Sequence, residues 1–142
     1  MSQVDFFNSI AEKWDSTITI DENKINKLLS QISIHNGDSV LDVGTGTGVL
    51  IPFYKKLNKD GKITGIDISE GMLNVAKRKF INLDNVKFEI LDVENEIMEG
   101  KFDKIVLYSM FPHLNNMHKN TDKRVSEDRL IDVNKQKELF EK

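Results

Sequence analysis

Apolar residues recur along this chain with two different periods, and the period changes where glycine becomes dense. Phe7, Ile10, Ala11 and Trp14 stand at i, i+3, i+4 and i+7, which is one face of a helix. Ile25, Leu28, Leu29 and Ile32 repeat that spacing, with Asp21 placed to cap the helix and Ile20 to staple against Ile25. "HNGD" (35–38) ends it in a turn. "SVLDV" (39–43) is then a short apolar run that meets glycine, as a buried strand does. "GVLIPFYKKLN" (48–58) reads as a helix, with Pro52 near its first turn, where a missing N–H costs least. "DGK" (60–62) turns the chain into a second strand, "ITGID" (63–67). Ser69 caps the following helix, Glu70 suits its dipole, and Met72, Leu73, Ala76 and Phe80 point inward. "NVKFEILDV" (85–93) alternates Val86, Phe88 and Ile90 as a third strand, and "FDKIVLYSM" (102–110) is a fourth, continuously apolar from Ile105 to Tyr108. Two helices followed by β-α-β-α-β, a loop or short helix, and β predict an α/β fold with a parallel sheet and right-handed crossovers. Beyond Asn115 the chain is polar and charged. "RLIDV" (129–133) is its one strand candidate there, and "VNKQKELFEK" (133–142) reads as a last helix with Leu139 and Phe140 inward.

A length of 142 residues fits one domain. The pattern divides it into a helical cap (1–36), an α/β core (37–114) and a divergent charged tail (115–142). Apolar residues at 39% and charged residues at 30% are in the globular range. A net charge of −3 without a basic stripe argues against a nucleic-acid partner. "KRK" (77–79) reads as a solvated helix end, where cations are favoured. The chain has no cysteine, which excludes disulfides, thiolate metal sites and a cysteine nucleophile. No signal-peptide pattern and no membrane-length apolar run is present, so the expected setting is cytoplasmic, with no membrane partner.

The candidate chemistry sits on "VLDVGTGTGVL" (40–50). A strand, a glycine-rich turn and a helix start form a cradle in which bare backbone can approach a ligand. Dinucleotide loops read G-x-G-x-x-G, but Val49 holds the place of the third glycine here. A phosphate-binding P-loop needs a lysine that the stretch lacks. Asp42 lies two residues before Gly44, and an acid buried there suits a cationic ligand, whose charge offsets its desolvation. Asp67 ends the second strand, where a carboxylate can accept from both hydroxyls of a ribose. Asp92 ends the third, where it can accept from an adenine amino group. Three acids at neighbouring strand ends, without a basic partner in the motifs, describe a ligand with ribose, adenine and positive charge but no phosphate. S-adenosylmethionine is that ligand.

On these residues the chain resembles the class I S-adenosylmethionine-dependent methyltransferases, of the small-molecule type with a quinone-biosynthesis-like core. The acid-x-Gly-x-Gly-x-Gly motif stands as Asp42-Val43-Gly44-Thr45-Gly46-Thr47-Gly48, the second motif as Gly65-Ile66-Asp67-Ile68-Ser69 followed by Met72, the third as Leu91-Asp92-Val93, and the fourth as "FDKIVLYSMFPHL" (102–114). "FFNSIAEKWD" (6–15) resembles the family's leading helix, which folds over the cofactor. The resemblance implies a Rossmann-like fold with a mostly parallel sheet, and transfer of a methyl group from S-adenosylmethionine to a small-molecule acceptor, leaving S-adenosylhomocysteine. It implies that Gly44, Thr45 and Gly46 line the methionine part, with Asp42 acting on the ammonium group through water. Asp67 takes the ribose hydroxyls, Ile68 and Met72 pack on adenine, and Asp92 accepts from the adenine amine beside Val93. Tyr108 and Ser109 lie under the sulfonium. Gly48 either touches the cofactor or permits close helix packing, and Trp14 is a core aromatic or part of a lid. His113, and less so His118, is a candidate general base; no metal site is assigned. Ser109-Met110-Phe111-Pro112 lacks the Asn/Asp-Pro-Pro-Tyr/Phe pattern of enzymes that methylate base or glutamine amines.

The family core has seven strands, and four are recognisable here. No glycine follows Gly100, so the Pro-Gly-Gly-like turn before a fifth strand is absent, and "MHKNTDKRVSEDRL" (117–130) resembles what relatives carry beyond that strand. The expectation is a fold truncated around strand five and at the closing hairpin. The apolar edge from Ile105 to Tyr108 is then covered by the tail or by a second copy in a homodimer. The alternative to an active enzyme is a cofactor-binding module, or a remnant without catalysis.

Overall fold

In the computed structural model, which describes residues 2–107 and 130–132, the chain begins with α1 (Gln3–Ile10), a 3₁₀ turn (Ala11–Lys13) and α2 (Trp14–Thr17). The period-3.6 face predicted from Phe7 to Trp14 is therefore broken into two short helices by a tighter turn. Ser2 and Asp5 form a reciprocal capping box on α1. Helix α3 (Glu22–Ile32) starts where Asp21 accepts a hydrogen bond from the Lys24 N–H at 3.1 Å. It stops at Ser33, which is left-handed at φ 55°. Ile25 and Leu29 are its buried face, while Ile20 stays 45% exposed.

Strands β1 (Val40–Val43), β2 (Ile63–Asp67), β3 (Val86–Ile90) and β4 (Lys104–Val106) alternate with α4 (Ile51–Leu57) and α5 (Glu70–Lys79). β1 and the first four residues of β2 are buried throughout, as strands covered on both faces are. The sheet order is β3-β2-β1-β4-β5, with β2 and β4 both parallel to β1. β3 is the partly covered edge: Val86 and Phe88 are half-buried and Ile90 is 52% exposed. No helix joins β3 to β4. Leu91, Val93, Met98 and Phe102 from that connection pack instead on the cluster of Leu41, Val43, Ile66, Ile105 and Leu107. Val40, Ile51, Phe53, Tyr54 and Ile63 belong to the other cluster, closed by α3 and α4. Neighbouring β1 residues thus feed opposite faces, the period of two that a strand imposes.

Strand β5 (Leu130–Asp132) pairs antiparallel with β4, Ile131 opposite Ile105. It is the "RLIDV" candidate, and it covers the β4 edge from within the same chain. The described sheet is thus a Rossmann-like one with four parallel strands and the antiparallel β5, truncated relative to the seven-stranded family core as expected.

The predicted helix after the glycines starts later than its pattern suggests. Residues 46–50 are turns, and α4 begins at Ile51 with Pro52 in its first turn. Gly48 explains the delay. It has φ +80°, and a Cβ there would lie 2.6 Å from Phe80 Cε2 and 3.3 Å from Ile51 Cγ1. Gly48→Ala is therefore expected to lower stability by about 2 kcal/mol through left-handed strain and overpacking, read as a lower urea midpoint at unchanged m.

Candidate functional site

Sheet order reverses direction at β1, and open parallel sheets bind ligands in the crevice beyond the strand ends at such a point. A cleft of about 500 Å³ opens there. Its floor is the loop after β1. The N–H groups of Gly44 and Thr45 both donate to the Ile66 carbonyl at 2.9 Å, tying the loop to β2. Gly46 is left-handed at φ +58°, and a Cβ there would meet nothing within 4 Å, so that face is open.

Asp67 closes the end of β2. Its Oδ2 accepts from the Gly46 N–H at 2.8 Å and its Oδ1 from the Ser69 N–H at 2.9 Å. A carboxylate has about four acceptor sites, so these two backbone donors do not exhaust it. Asp92 closes β3 in a local turn: its carboxylate accepts from the Glu94 N–H at 3.0 Å and from Asn95 Nδ2 at 2.7 Å. The turn and the cleft use the same residue, since Asp92 also lines the opening.

The roof is the N-terminal helical segment, held by polar contacts. Asn8 Oδ1 accepts from Ser69 Oγ at 2.6 Å and from the Gly71 N–H at 2.7 Å. Arg78 Nη2 donates to Glu12 at 2.6 Å. Asp15 accepts from Thr47 Oγ1 of the glycine loop at 2.5 Å and from Lys79 Nζ at 2.8 Å. Burial raises the Asp15 pKa, but the Lys79 and Thr47 hydrogen bonds outweigh it, and the carboxyl stays below its ordinary value. Phe7 and Trp14 stack edge-to-face at 5.9 Å and both line the cleft.

Of the residues singled out from the sequence, the structure gathers Trp14, Gly44, Thr45, Gly46, Asp67, Ile68, Met72, Asp92 and Val93 around one cleft. Gly48 faces Phe80 and Ile51 instead. Asp42 is fully buried beneath the loop and does not line the opening. Tyr108, Ser109, His113 and His118 lie outside the described residues. Pattern reading missed Glu94, which reaches the cleft, placed Leu91 in a motif without a role there, and gave Asp21 only its capping role. It also missed the clasp on Asp15. The acidic hydrophilic face of the leading helix, opposite "KRK", was the available signal for that clasp.

Asp42 and Tyr54, both fully buried, are strongly perturbed. Burial pushes the Asp42 carboxyl up to about 7, helped by the nearby charge of Asp67; the Thr45 and Tyr54 hydroxyls offset this in part. Tyr54 Oη donates to Asp42 Oδ1 at 2.9 Å. Asp42 Oδ2 and Thr45 Oγ1 are buried without a partner in hydrogen-bond geometry among the described residues. The charged residues lining the cleft are Asp21, Asp67, Asp92 and Glu94, with no lysine, arginine or histidine among the described ones. Such a donor set favours a cation and opposes phosphate. Among the described residues no group of three potential ligands could hold a metal ion, and no helix is long and apolar enough to cross a membrane.

Residues 34–139 match a family described as a methyltransferase domain. A malonyl-(acyl-carrier protein) O-methyltransferase of Acetivibrio thermocellus is 31% identical over 121 residues, which are 84% of this chain and 42% of that protein. A demethylmenaquinone methyltransferase of Staphylococcus aureus is 33% identical over 103 residues, 68% of this chain and 41% of that one. Among solved structures, a DhpI–SAH complex aligns with a TM-score of 0.61 at 23% identity, over 74% of this chain and 50% of that one. The chain spans about two-fifths of the length of these curated relatives.

Proposed function

The chain belongs to the methyltransferase domain family, and from that premise we propose that its cleft binds S-adenosylmethionine and serves transfer of the methyl group to a small-molecule acceptor. One observation carries the reading: an adenosine-sized cleft at the strand ends whose described charged lining is acidic throughout. A sulfonium and an ammonium group suit that lining, whereas the pyrophosphate of a dinucleotide does not. The solved DhpI–SAH complex supports the same ligand. The orphaned Asp42 Oδ2 and Thr45 Oγ1, and the open face of Gly46, are what a polar, cationic group above the loop would use.

When bound, the cofactor supplies an electrophilic methyl on sulfur. The protein's part is alignment. Asp67 holds the ribose, and Ile68, Met72, Leu91 and Val93 supply apolar walls for the adenine, whose amino group Asp92 accepts from. Phe7 and Trp14 close over the top and exclude water. We assign Tyr108 and Ser109 to the sulfonium end, and His113 to proton removal from the acceptor, on the family resemblance alone. The β4 edge is paired with Leu130–Asp132 in the same chain, so a second copy is not required to cover it.

S-adenosylhomocysteine is expected to raise the melting temperature, with stabilisation of about 2.7 kcal/mol at a hundredfold excess over its dissociation constant. Absence of any shift at saturating ligand would sink the assignment. Methyl transfer from labelled cofactor to a panel of acceptors then separates an enzyme from a binding module.

A further inference from the structure

We propose that Tyr54 is a positioning residue for cofactor binding: its hydroxyl favours the ionised form of Asp42 beneath the glycine loop, so that a buried negative charge can face the bound cation. This rests on reading the cleft as an S-adenosylmethionine site.

Both residues are completely buried, and the hydrogen bond between them is 2.9 Å long. Asp42 lies mid-sheet, with Gly65 of β2 and Val106 of β4 opposite it in register. Neither offers a side-chain donor. Gly65 leaves room instead for the Thr45 hydroxyl, which a Cβ at that position would meet at 2.8 Å. The titratable groups that act on Asp42 are Tyr54 from α4, which favours the carboxylate, and Asp67 from β2, which opposes it; no cation is among them.

A carboxylate so placed tends to take up a proton unless donors hold it ionised. Tyr54 is such a donor throughout the accessible pH range, because burial and the Asp42 charge keep its own proton on. The ring alone would fill the cluster it shares with Ile51, Phe53 and Ile63. The hydroxyl is therefore the part that packing does not require. Thr45 lines the cleft, and a cation bound there would be a counter-charge that no described residue supplies to Asp42. Asp42 and Thr45 are both buried, and charges that are buried or partly buried are screened less than exposed ones.

The test is calorimetric titration of S-adenosylhomocysteine into the wild type, Tyr54→Phe and Asp42→Asn between pH 5.5 and 8.5. Wild-type affinity should rise with pH, with a midpoint near 7. Tyr54→Phe should move that midpoint up by about one unit, so that affinity falls roughly three- to tenfold at pH 7 and recovers by pH 8.5. Asp42→Asn should bind more weakly with no such midpoint. A Tyr54→Phe profile that is unchanged, or lowered by one factor at every pH, assigns Tyr54 to packing and overturns the proposal. A carbon-13 carboxyl titration of the wild type does not depend on any variant folding. The Asp42 signal should titrate near 7 without ligand and lower with it, and a midpoint indifferent to ligand also overturns the proposal. Failure of the wild type to bind at any pH would instead remove the cofactor reading on which this one rests.

Discussion

Asp67→Ala should abolish the thermal shift produced by S-adenosylhomocysteine and weaken its binding by about a hundredfold or more. Each hydrogen bond to a charged group contributes about 1.5–3 kcal/mol, and a ribose presents two hydroxyls to this carboxylate. The substitution also removes the acceptors for the Gly46 and Ser69 N–H groups, so the loop floor and the start of α5 lose a shared anchor. The apo protein should still fold, because Asp67 is only half-buried at the end of β2. Circular dichroism of the variant checks that, and calorimetry checks the affinity. Binding within a few-fold of wild type would show that the ribose lies elsewhere.

Asp42→Asn should stabilise the apo protein, and more so at pH 8 than at pH 5. The folded-state pKa of Asp42 is pushed up by burial to about 7, above its ordinary value of 3.8. The native state therefore retains a proton that the unfolded chain has released, and wild-type stability falls as pH rises from 3.8 to about 7. Asparagine does not titrate, so the variant escapes that loss. Its carbonyl can still accept from Tyr54, and its amide can donate toward the orphaned Thr45 hydroxyl. At about 1.4 kcal/mol per pKa unit, a gain of roughly 2–4 kcal/mol at pH 8 is expected. For a chain of this size that is about 7–13 °C in melting temperature. Differential scanning calorimetry at the two pH values decides it. A destabilised variant, or an equal gain at both, would mean that Asp42 is ionised and satisfied in the apo protein. A stabilising change that weakens ligand binding marks a residue kept for function at a cost to folding.

Local rules made much of this fold legible. The Asp21 and Ser69 caps formed with the partners their spacing implies. The strands of the core are where apolar runs meet turns, because a buried strand is written in consecutive residues. Glycines at 44, 46 and 48 are all left-handed, a further reason for glycine there that the sequence analysis did not draw. What the sequence did not show is long-range. Asp15 meets Thr47 and Lys79 at separations of 32 and 64 residues, and neither one-dimensional period carries such a pairing. "KRK" is the exposed helix end the pattern implied, but the pattern did not show that Arg78 and Lys79 there also pair with Glu12 and Asp15 of the N-terminal segment. Buried Asn58 was equally silent: it binds Gly37, Gly61 and Asp38, joining the turns at the base of β1 and β2. Gly48 shows the limit of motif reading, since one glycine of a ligand loop faces a phenylalanine ring rather than the cleft.

The central claim is that this cleft takes an adenosine ligand bearing positive charge. Isothermal titration of S-adenosylhomocysteine and of NADH into the same protein at pH 8 tests it most directly. The account predicts one-to-one binding of S-adenosylhomocysteine, abolished in Asp67→Ala, and no heat from NADH. Binding of NADH, or the same S-adenosylhomocysteine isotherm in Asp67→Ala, would contradict it.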